Sequence, residues 1–266
     1  MGDFMNIIVF LKQVPDTATR IRIAAGGRNI EDSDITWIIS PYDEYALEEA
    51  LKIKESKGAG KVTVISMGPE RVSDALRKAL ATGADEAFHL MDPAFEGSDA
   101  FATAKILAAA VRNRSYDILF FGKTGVGMDQ SQVPSMVAEL LSLPQVTQIA
   151  KLEIGDGKIV AHREIEGAME TVEASLPVVL AAEKGLNEPR YPSLKGIMAA
   201  KKKPLEVVNL AALGLNASDV GAEGSRVVLH SIALPPQRKA GRILEGDPRE
   251  TAKQLADLLR NEAKVI

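Results

Sequence analysis

Short apolar runs alternate with amphipathic stretches over residues 6–121, and this alternation limits the possible fold more than any other feature of the sequence. Continuous apolar runs of this length are typical of strands that are buried on both faces of a parallel sheet. Because crossover helices join such strands, the pattern predicts a doubly wound, mostly parallel α/β sheet. The predicted strands are residues 6–11, 61–67, 86–91 and 118–121, and the predicted helices are 41–57, 72–81 and 99–112.

The rest of the chain predicts an antiparallel hairpin extension of the sheet and a C-terminal arm. We expect residues 1–234 to form one nucleotide-binding α/β domain and residues 235–266 to form the arm, with a linker at 235–241. The further predicted elements are a helix at 131–142, antiparallel segments at 148–152, 158–163 and 169–174, an interior strand at 176–182 and a last helix at 248–263.

Ligands of doubly wound sheets bind at the carboxyl ends of the strands, where the strand order reverses. This rule indicates residues 10–14, 40–43, 67–68 and the loop from 122 onward. The loop is rich in glycine and precedes a predicted helix, whose free N–H groups attract phosphate. Its glycine spacing matches neither a P-loop nor the G-x-G-x-x-G motif. The residues alone therefore leave open a nucleotide loop and a glycine-rich turn without a ligand.

Composition argues against several classes of protein. The chain has 32 basic and 36 acidic residues and no basic stripe, so we do not expect nucleic acid as a partner. It has no cysteine, which excludes disulfides and thiolate-held metal centres, and its three histidines are scattered, so we expect no metal site. The apolar runs are too short for a membrane helix and no signal pattern begins the chain. We expect a soluble, cytoplasmic protein without membrane insertion.

A proline-containing loop followed by a short helical pattern occupies residues 186–204. Its two internal prolines restrict the residues before them to extended geometry. Leu194, Ile197 and Met198 then lie three and four residues apart, as on one helical face, and three lysines precede Pro204. Such a face is typical either of a docking surface or of a helix packed on its own domain.

The segments 163–172 (REIEGAMETV), 176–181 (LPVVLA) and 186–204 resemble the signature of the electron transfer flavoprotein beta subunit. One small departure is Ala168, where the family usually has glycine or an acidic residue. The resemblance spans residue 5 to about residue 245 and implies a fold of the adenine nucleotide alpha hydrolase type. It also implies an electron carrier without catalytic residues, whose FAD is held mainly by the alpha subunit of a heterodimer.

The resemblance further implies that this chain binds AMP. Ser40 stands where the family often has asparagine, and Val133 where many members have threonine. The implied AMP-site residues are Phe10, Ser40, Pro41, Tyr42, Asp43, Met67, Gly122, Lys123, Thr124, Gly125, Val126, Gly127, Met128, Asp129, Gln130, Ser131, Gln132 and Val133.

By the same resemblance, the 186–204 loop docks acyl-CoA dehydrogenases or related flavin dehydrogenases, as in fatty acid oxidation. Electrons then pass through FAD to a quinone-reducing oxidoreductase. The implied docking residues are Tyr191, Leu194, Ile197 and Met198, with Leu194 as the anchor. The C-terminal arm is expected to pack on the alpha subunit.

Two other functions remain open at this point. Bifurcating members of the family hold a second FAD in place of AMP and oxidise NADH, and residues 12–17 and 132–134 look like that branch. The segment 187–191 resembles the conventional branch instead. A stand-alone nucleotide-binding module of the universal-stress type would share the α/β layout but would need no partner subunit.

Overall fold

A mostly parallel sheet forms the centre of the molecule. The computed structural model describes residues 4–236 and 240–266. The strands are β1 (Met5–Phe10), β2 (Gln13–Pro15), β3 (Trp37–Ile39), β4 (Gly60–Met67), β5 (Glu86–Leu90), β6 (Ile118–Gly122), β7 (Gln145–Ile154), β8 (Lys158–Ile165), β9 (Ala168–Ser175), β10 (Val178–Ala182) and β11 (Leu205–Val208). The α-helices are α1 (Pro41–Lys57), α2 (Val72–Thr82), α3 (Ala100–Val111), α4 (Val133–Leu141), α5 (Leu194–Ala200), α6 (Leu210–Leu213), α7 (Gly221–Gly224) and α8 (Pro248–Asp257).

Nine of these strands form one sheet, in the order β11, β5, β4, β1, β6, β10, β7, β8, β9. The pairs from β11 to β7 are parallel, whereas β8 and β9 add to the edge in antiparallel fashion. The predicted fold class, a doubly wound sheet with an antiparallel extension, is confirmed. The sequence did not predict the separate antiparallel pair of β2 and β3, since each strand is only three residues long.

Helices cover both faces of the parallel sheet. Ile7 and Val9 belong to a core cluster that includes residues of α1 and α2, whereas Ile8 and Phe10 belong to a second cluster with residues of α3 and α4. Successive side chains of a strand point to opposite faces, so each central strand has to be apolar throughout. This two-sided burial explains the continuous apolar runs in the sequence.

Helix boundaries follow local signals at α1 and depart from them at α4. Helix α1 begins at Pro41 as predicted and ends before Gly58, which has a left-handed φ of 69°. Helix α4 begins at Val133 rather than at Ser131, so the predicted start is wrong by two residues. Ser131 has a φ of 53°, which is incompatible with a right-handed helix, and the preceding loop therefore continues to Gln132.

The C-terminal arm contains the predicted helix, and none of its described residues is buried. Helix α8 continues as one π-helical segment, Leu258–Ala263, and no residue of either part is buried. The middle of the predicted linker, residues 237–239, lies outside the described residues. Within the described ranges, no helix is long and apolar enough to cross a bilayer.

Candidate functional site

The strand order reverses between β1 and β6. After β1 the chain crosses to β4 and β5 on one side, and it later returns to place β6 on the other side of β1. The crevice rule therefore selects the loops that follow these two neighbouring parallel strands. The predicted site segments at Phe10, at the start of α1 and from Gly122 onward all reach this edge of the sheet.

Asp43 joins the two loops. It lies in the first turn of α1 and is 6% exposed. Its carboxylate accepts hydrogen bonds from the backbone N–H groups of Lys12, at 2.7 Å, and of Gly122, at 2.9 Å. Burial raises the pKa of Asp43 to about 7, against the opposing effects of the two N–H donors and the Lys12 charge. Because backbone groups engage both oxygens, Asp43 shapes the edge of the site.

Gly122 is required by the packing of α1 on β6. A Cβ atom at Gly122 would lie 2.5 Å from Asp43 Oδ1 and 2.7 Å from the carbonyl carbon and Cβ of Tyr42. The missing side chain therefore allows the helix to approach the strand closely. At Gly125, the three atoms nearest to a Cβ atom would all belong to the side chain of Lys12, with Cδ at 2.6 Å.

The loop between β6 and α4 turns tightly. Gly127, Asp129 and Ser131 have φ values of 94°, 47° and 53°, and the N–H groups of Met128 and Asp129 donate to the Gly125 carbonyl. Left-handed backbone at two residues other than glycine is uncommon and is often found at binding sites. Residues 127–132 are exposed, whereas Thr124 is buried. The second half of the loop is therefore accessible to solvent, whereas its start is buried.

Three buried side-chain oxygens on these loops have no hydrogen-bond partner within the described part of the chain. They are Gln13 Oε1, Ser40 Oγ and Thr124 Oγ1. Nearly all buried polar groups in proteins are hydrogen-bonded, so unpaired ones at one sheet edge indicate a place where a ligand or water completes the bonding. Ser40 also does not cap α1 with its side chain, although serine is a favoured residue at that position.

Sequence reasoning did not single out Lys12. Its side chain runs against Gly125, close to the base of the loop. Burial lowers the pKa of Lys12, while the nearby charges of Asp43 and Asp129 raise it. No carboxylate of the described residues forms an ion pair with its ammonium group. An amine that loses water without gaining a carboxylate partner is well suited to bind an anion.

Glu183 is a second residue that sequence reasoning missed. It follows β10, the parallel neighbour of β6, and its carboxylate lies 2.5 Å from the ammonium of Lys123. This hydrogen bond raises the pKa of Lys123, whose ammonium also lies 5.1 Å from the ring centre of Tyr42. The crevice rule, applied to the end of β10, would have found it. Lys123 is thus neutralised by a carboxylate, whereas Lys12 is not.

Two predicted site residues belong largely to the core. The Phe10 ring stacks on Phe121 with centroids 4.3 Å apart, and Phe10 is buried. Met67 is partly buried against the same cluster. A ligand in the crevice would therefore meet the backbone of Phe10 rather than its ring.

The predicted docking residues form a separate, exposed apolar surface. Tyr191 is 89% exposed, Leu194 82%, Ile197 48% and Met198 74%. The last three lie on the outward face of α5, as their three- and four-residue spacing requires. The alternative that these side chains pack on their own domain is wrong. We call these four residues the α5 surface.

Helix α5 rests on α2 through its other face. Ala200 is buried, and a Cβ atom at Gly196 would lie 2.2 Å from the carbonyl oxygen of Ala81. The guanidinium of Arg77 donates to the carbonyls of Ala200 and Lys203. This close approach through small residues packs one face of α5 on α2 and leaves its large apolar residues pointing away from the domain.

Lys203 is a structural lysine rather than part of an exposed basic end. Its ammonium donates to the carbonyls of Leu80, at 2.9 Å, and Ala84, at 2.6 Å, at the C-terminal end of α2. Burial lowers its pKa. Lys201 and Lys202 are exposed, so only two of the three lysines belong to the accessible surface.

The sheet order and the polar loops at its reversal define an α/β protein of the doubly wound class. The electron transfer flavoprotein domain model matches residues 28–213. The chain is 41% identical over 263 residues to the electron transfer flavoprotein subunit beta of Bacillus subtilis strain 168, covering 98% of this chain and 100% of the relative. It is 43% identical to that of Thermoanaerobacterium thermosaccharolyticum, covering 97% and 98%. The chain therefore belongs to the electron transfer flavoprotein family and, within it, to the beta subunits.

Proposed function

We propose that this chain pairs with an electron transfer flavoprotein alpha subunit and binds AMP in the crevice between β1 and β6. We further propose that the α5 surface docks acyl-CoA dehydrogenases or related flavin dehydrogenases. Electrons then pass through the FAD of the heterodimer to a quinone-reducing oxidoreductase. Membership of a family of electron carriers and of its beta subunits supports the electron-transfer role and the need for an alpha subunit.

The observation that carries the nucleotide proposal is the set of unpaired polar groups at the strand reversal. Gln13, Ser40 and Thr124 supply hydrogen-bonding oxygens, and Lys12 supplies a positive charge beside the glycine loop. The N-terminal end of α4 lies at the end of that loop and suits a phosphate, with Pro134 as the one residue of its first turn that has no N–H to donate. These residues fit an adenine nucleotide, whose phosphate needs cations and N–H donors and whose sugar and base offer polar partners.

FAD would supply the electron-accepting and electron-donating chemistry of the heterodimer, and this chain would supply binding and orientation. We assign no general acid, base or nucleophile to the chain. The buried carboxylate of Asp43 is engaged by backbone N–H groups and serves the shape of the crevice.

The test of the nucleotide proposal uses the heterodimer purified from the organism that naturally produces it. The bound nucleotides are released by denaturation, identified by mass spectrometry and counted per heterodimer. We expect one FAD and one AMP. Two FAD per heterodimer together with NADH oxidation would instead assign the chain to the bifurcating branch. A stable chain that never pairs with an alpha subunit would favour the stand-alone module, which the near full-length family match already disfavours.

The docking proposal rests on the exposure of Leu194 next to three further large apolar side chains. We predict that Leu194→Ala weakens dehydrogenase docking by about 1 to 2 kcal/mol, because leucine contributes modestly unless it fills a closed pocket. The KM for an acyl-CoA dehydrogenase in flavin reduction measures this change, and the flavin content should stay the same.

Met169→Ala is a matched control, since it removes a 56% exposed apolar side chain from the antiparallel extension. We expect it to leave the KM for the dehydrogenase unchanged. A loss of flavin in the Leu194 variant would contradict the docking role and make Leu194 a structural residue.

A further inference from the structure

Arg190 attaches the loop in front of α5 to helix α1. Its Nε and Nη2 groups donate to the two carboxylate oxygens of Glu48, at 2.8 and 2.9 Å. Its Nη1 and Nη2 groups donate to the two oxygens of Glu55. The backbone N–H of Arg190 also donates to Glu48, at 3.2 Å. One guanidinium is therefore held by two carboxylates in bidentate fashion, a geometry that lysine cannot reproduce.

The burial of Glu48 makes its pairing with Arg190 important. Glu48 is 5% exposed, and it lies two helical turns from Glu55 on the same face of α1. Without Arg190, a nearly buried carboxylate would lose its partner and face a second negative charge. The hydrogen bond to Arg190 lowers the pKa of Glu55, and the two carboxylates raise that of Arg190. Surface ion pairs are usually weak, but bidentate pairs with a buried partner are stronger.

A second contact fixes the same end of the loop. The side-chain amide of Asn187 donates to the carbonyl of Tyr45 and to the carboxylate of Glu49, both at 2.9 Å. Residues 187–190 are thus attached to α1, whereas α5 is attached to α2 through Gly196 and Ala200. Only residues 191–195 lie between Arg190 and Gly196, and Leu194 is one of them.

We propose that Arg190 is a positioning residue for docking, which holds the loop on α1 so that Leu194 is already in place before a dehydrogenase arrives. This inference rests on the proposed docking function of the α5 surface. Preorganised loops bind more tightly because their ordering no longer has to occur on binding. Arg190 acts through Leu194 and needs no contact with the dehydrogenase.

The test is a double-mutant cycle on the FAD-loaded heterodimer. Arg190→Gln, Leu194→Ala and the double variant are compared by the KM for an acyl-CoA dehydrogenase that reduces the wild-type flavin. We expect Arg190→Gln to raise the KM by about tenfold with an unchanged maximal rate. We expect the double variant to have the same KM as Leu194→Ala alone. Once the Leu194 side chain is removed, holding its loop in position no longer contributes to docking.

Arg112→Gln is the matched control, since Arg112 is an exposed arginine at the end of α3 on the opposite face of the sheet. It should leave the KM unchanged. An unchanged KM for Arg190→Gln would overturn the inference. It would also be overturned if the KM of the double variant rose by the product of the two single effects, because Arg190 would then act independently of Leu194. If Leu194→Ala has no effect, the proposed docking function fails as well.

Hydrogen exchange of the loaded heterodimer provides a second measurement that does not depend on docking. We expect faster exchange at residues 187–193 in Arg190→Gln, with the exchange of α2 unchanged. Arg190→Lys keeps the charge but not the two-pronged geometry, so it should restore the KM only in part. Wild-type exchange rates at residues 187–193 in Arg190→Gln would contradict the positioning role.

Discussion

The residues at the strand reversal show how much a single side chain depends on its tertiary neighbours. Asp43 lies in the first turn of α1, where an acidic residue interacts favourably with the helix dipole. Its main contacts, however, are the backbone N–H groups of Lys12 and Gly122, which are 31 and 79 residues away in the sequence. One buried carboxylate thus fixes the distance between two strand ends.

At this scale we predict that Asp43→Asn destabilises the chain by about 1 to 3 kcal/mol, because an amide nitrogen cannot accept the second backbone hydrogen bond. The pKa of Asp43 is raised from 3.8 to about 7 in the folded protein. The folded state therefore binds more protons than the unfolded state between these values, and the free energy of unfolding falls as the pH rises from about 4 to about 7.

Urea unfolding of the wild type at pH 5 and pH 8 measures this dependence. We expect the wild type to be less stable at pH 8 than at pH 5, and the difference to shrink in Asp43→Asn. Glu139→Gln, which changes an exposed carboxyl group on α4, should retain the wild-type difference. An equal pH dependence in wild type and Asp43→Asn would show that another group titrates.

At the scale of elements, the two faces of α5 have different roles: one packs on α2 and the other is exposed. The apolar spacing of Leu194, Ile197 and Met198 gives a helix with one apolar face, and two small residues on the other face decide which side is buried. Large apolar side chains are therefore exposed here because glycine and alanine make the closer contact with α2. Ser193 caps the start of this helix, since its side chain accepts a hydrogen bond from the N–H of Gly196.

The end of this segment provides the element-scale prediction. We expect Lys203→Met to lower the free energy of unfolding by about 1 to 3 kcal/mol, since two carbonyls at the end of α2 would lose their donor. Lys201→Met is the control and should change it by less than about 0.5 kcal/mol, because Lys201 is exposed. Chemical denaturation of both variants compares them directly, and equal effects would contradict the structural role of Lys203.

At the scale of the whole molecule, the sheet and its helices form a complete core, whereas the C-terminal arm adds no buried residue in α8. Leu255 of α8 is 50% exposed, and Leu258 and Leu259 are only half-buried. An amphipathic helix with an uncovered apolar side gains little from its own domain. The observation supports the proposal that the arm packs on the alpha subunit.

We predict that truncation after Pro236 leaves the thermal unfolding midpoint of the isolated chain within about 2 °C, because the removed helix buries no residue in it. The same truncation should strongly reduce co-purification with a tagged alpha subunit. A large fall in the midpoint of the isolated chain would show instead that the arm stabilises its own domain.

The sequence by itself determined the features that depend on nearby residues. The strand and helix alternation and the apolar face of α5 follow from periodicity, and the start of α1 follows from proline at its first position, both of which a sequence displays directly. The edge of the sheet where the site would lie could also be predicted, because parallel strands end at the same side.

Only the tertiary structure decided the roles of individual residues within those features. Gly122 serves helix packing, Lys203 bonds to the end of α2, and Glu183 pairs with Lys123, although nothing in their local sequence distinguishes them. The late start of α4 and the pairing of β2 with β3 could not be predicted from the sequence either. Burial and hydrogen bonding join residues that are far apart along the chain, so they are fixed only when the sheet brings its strand ends and covering helices together.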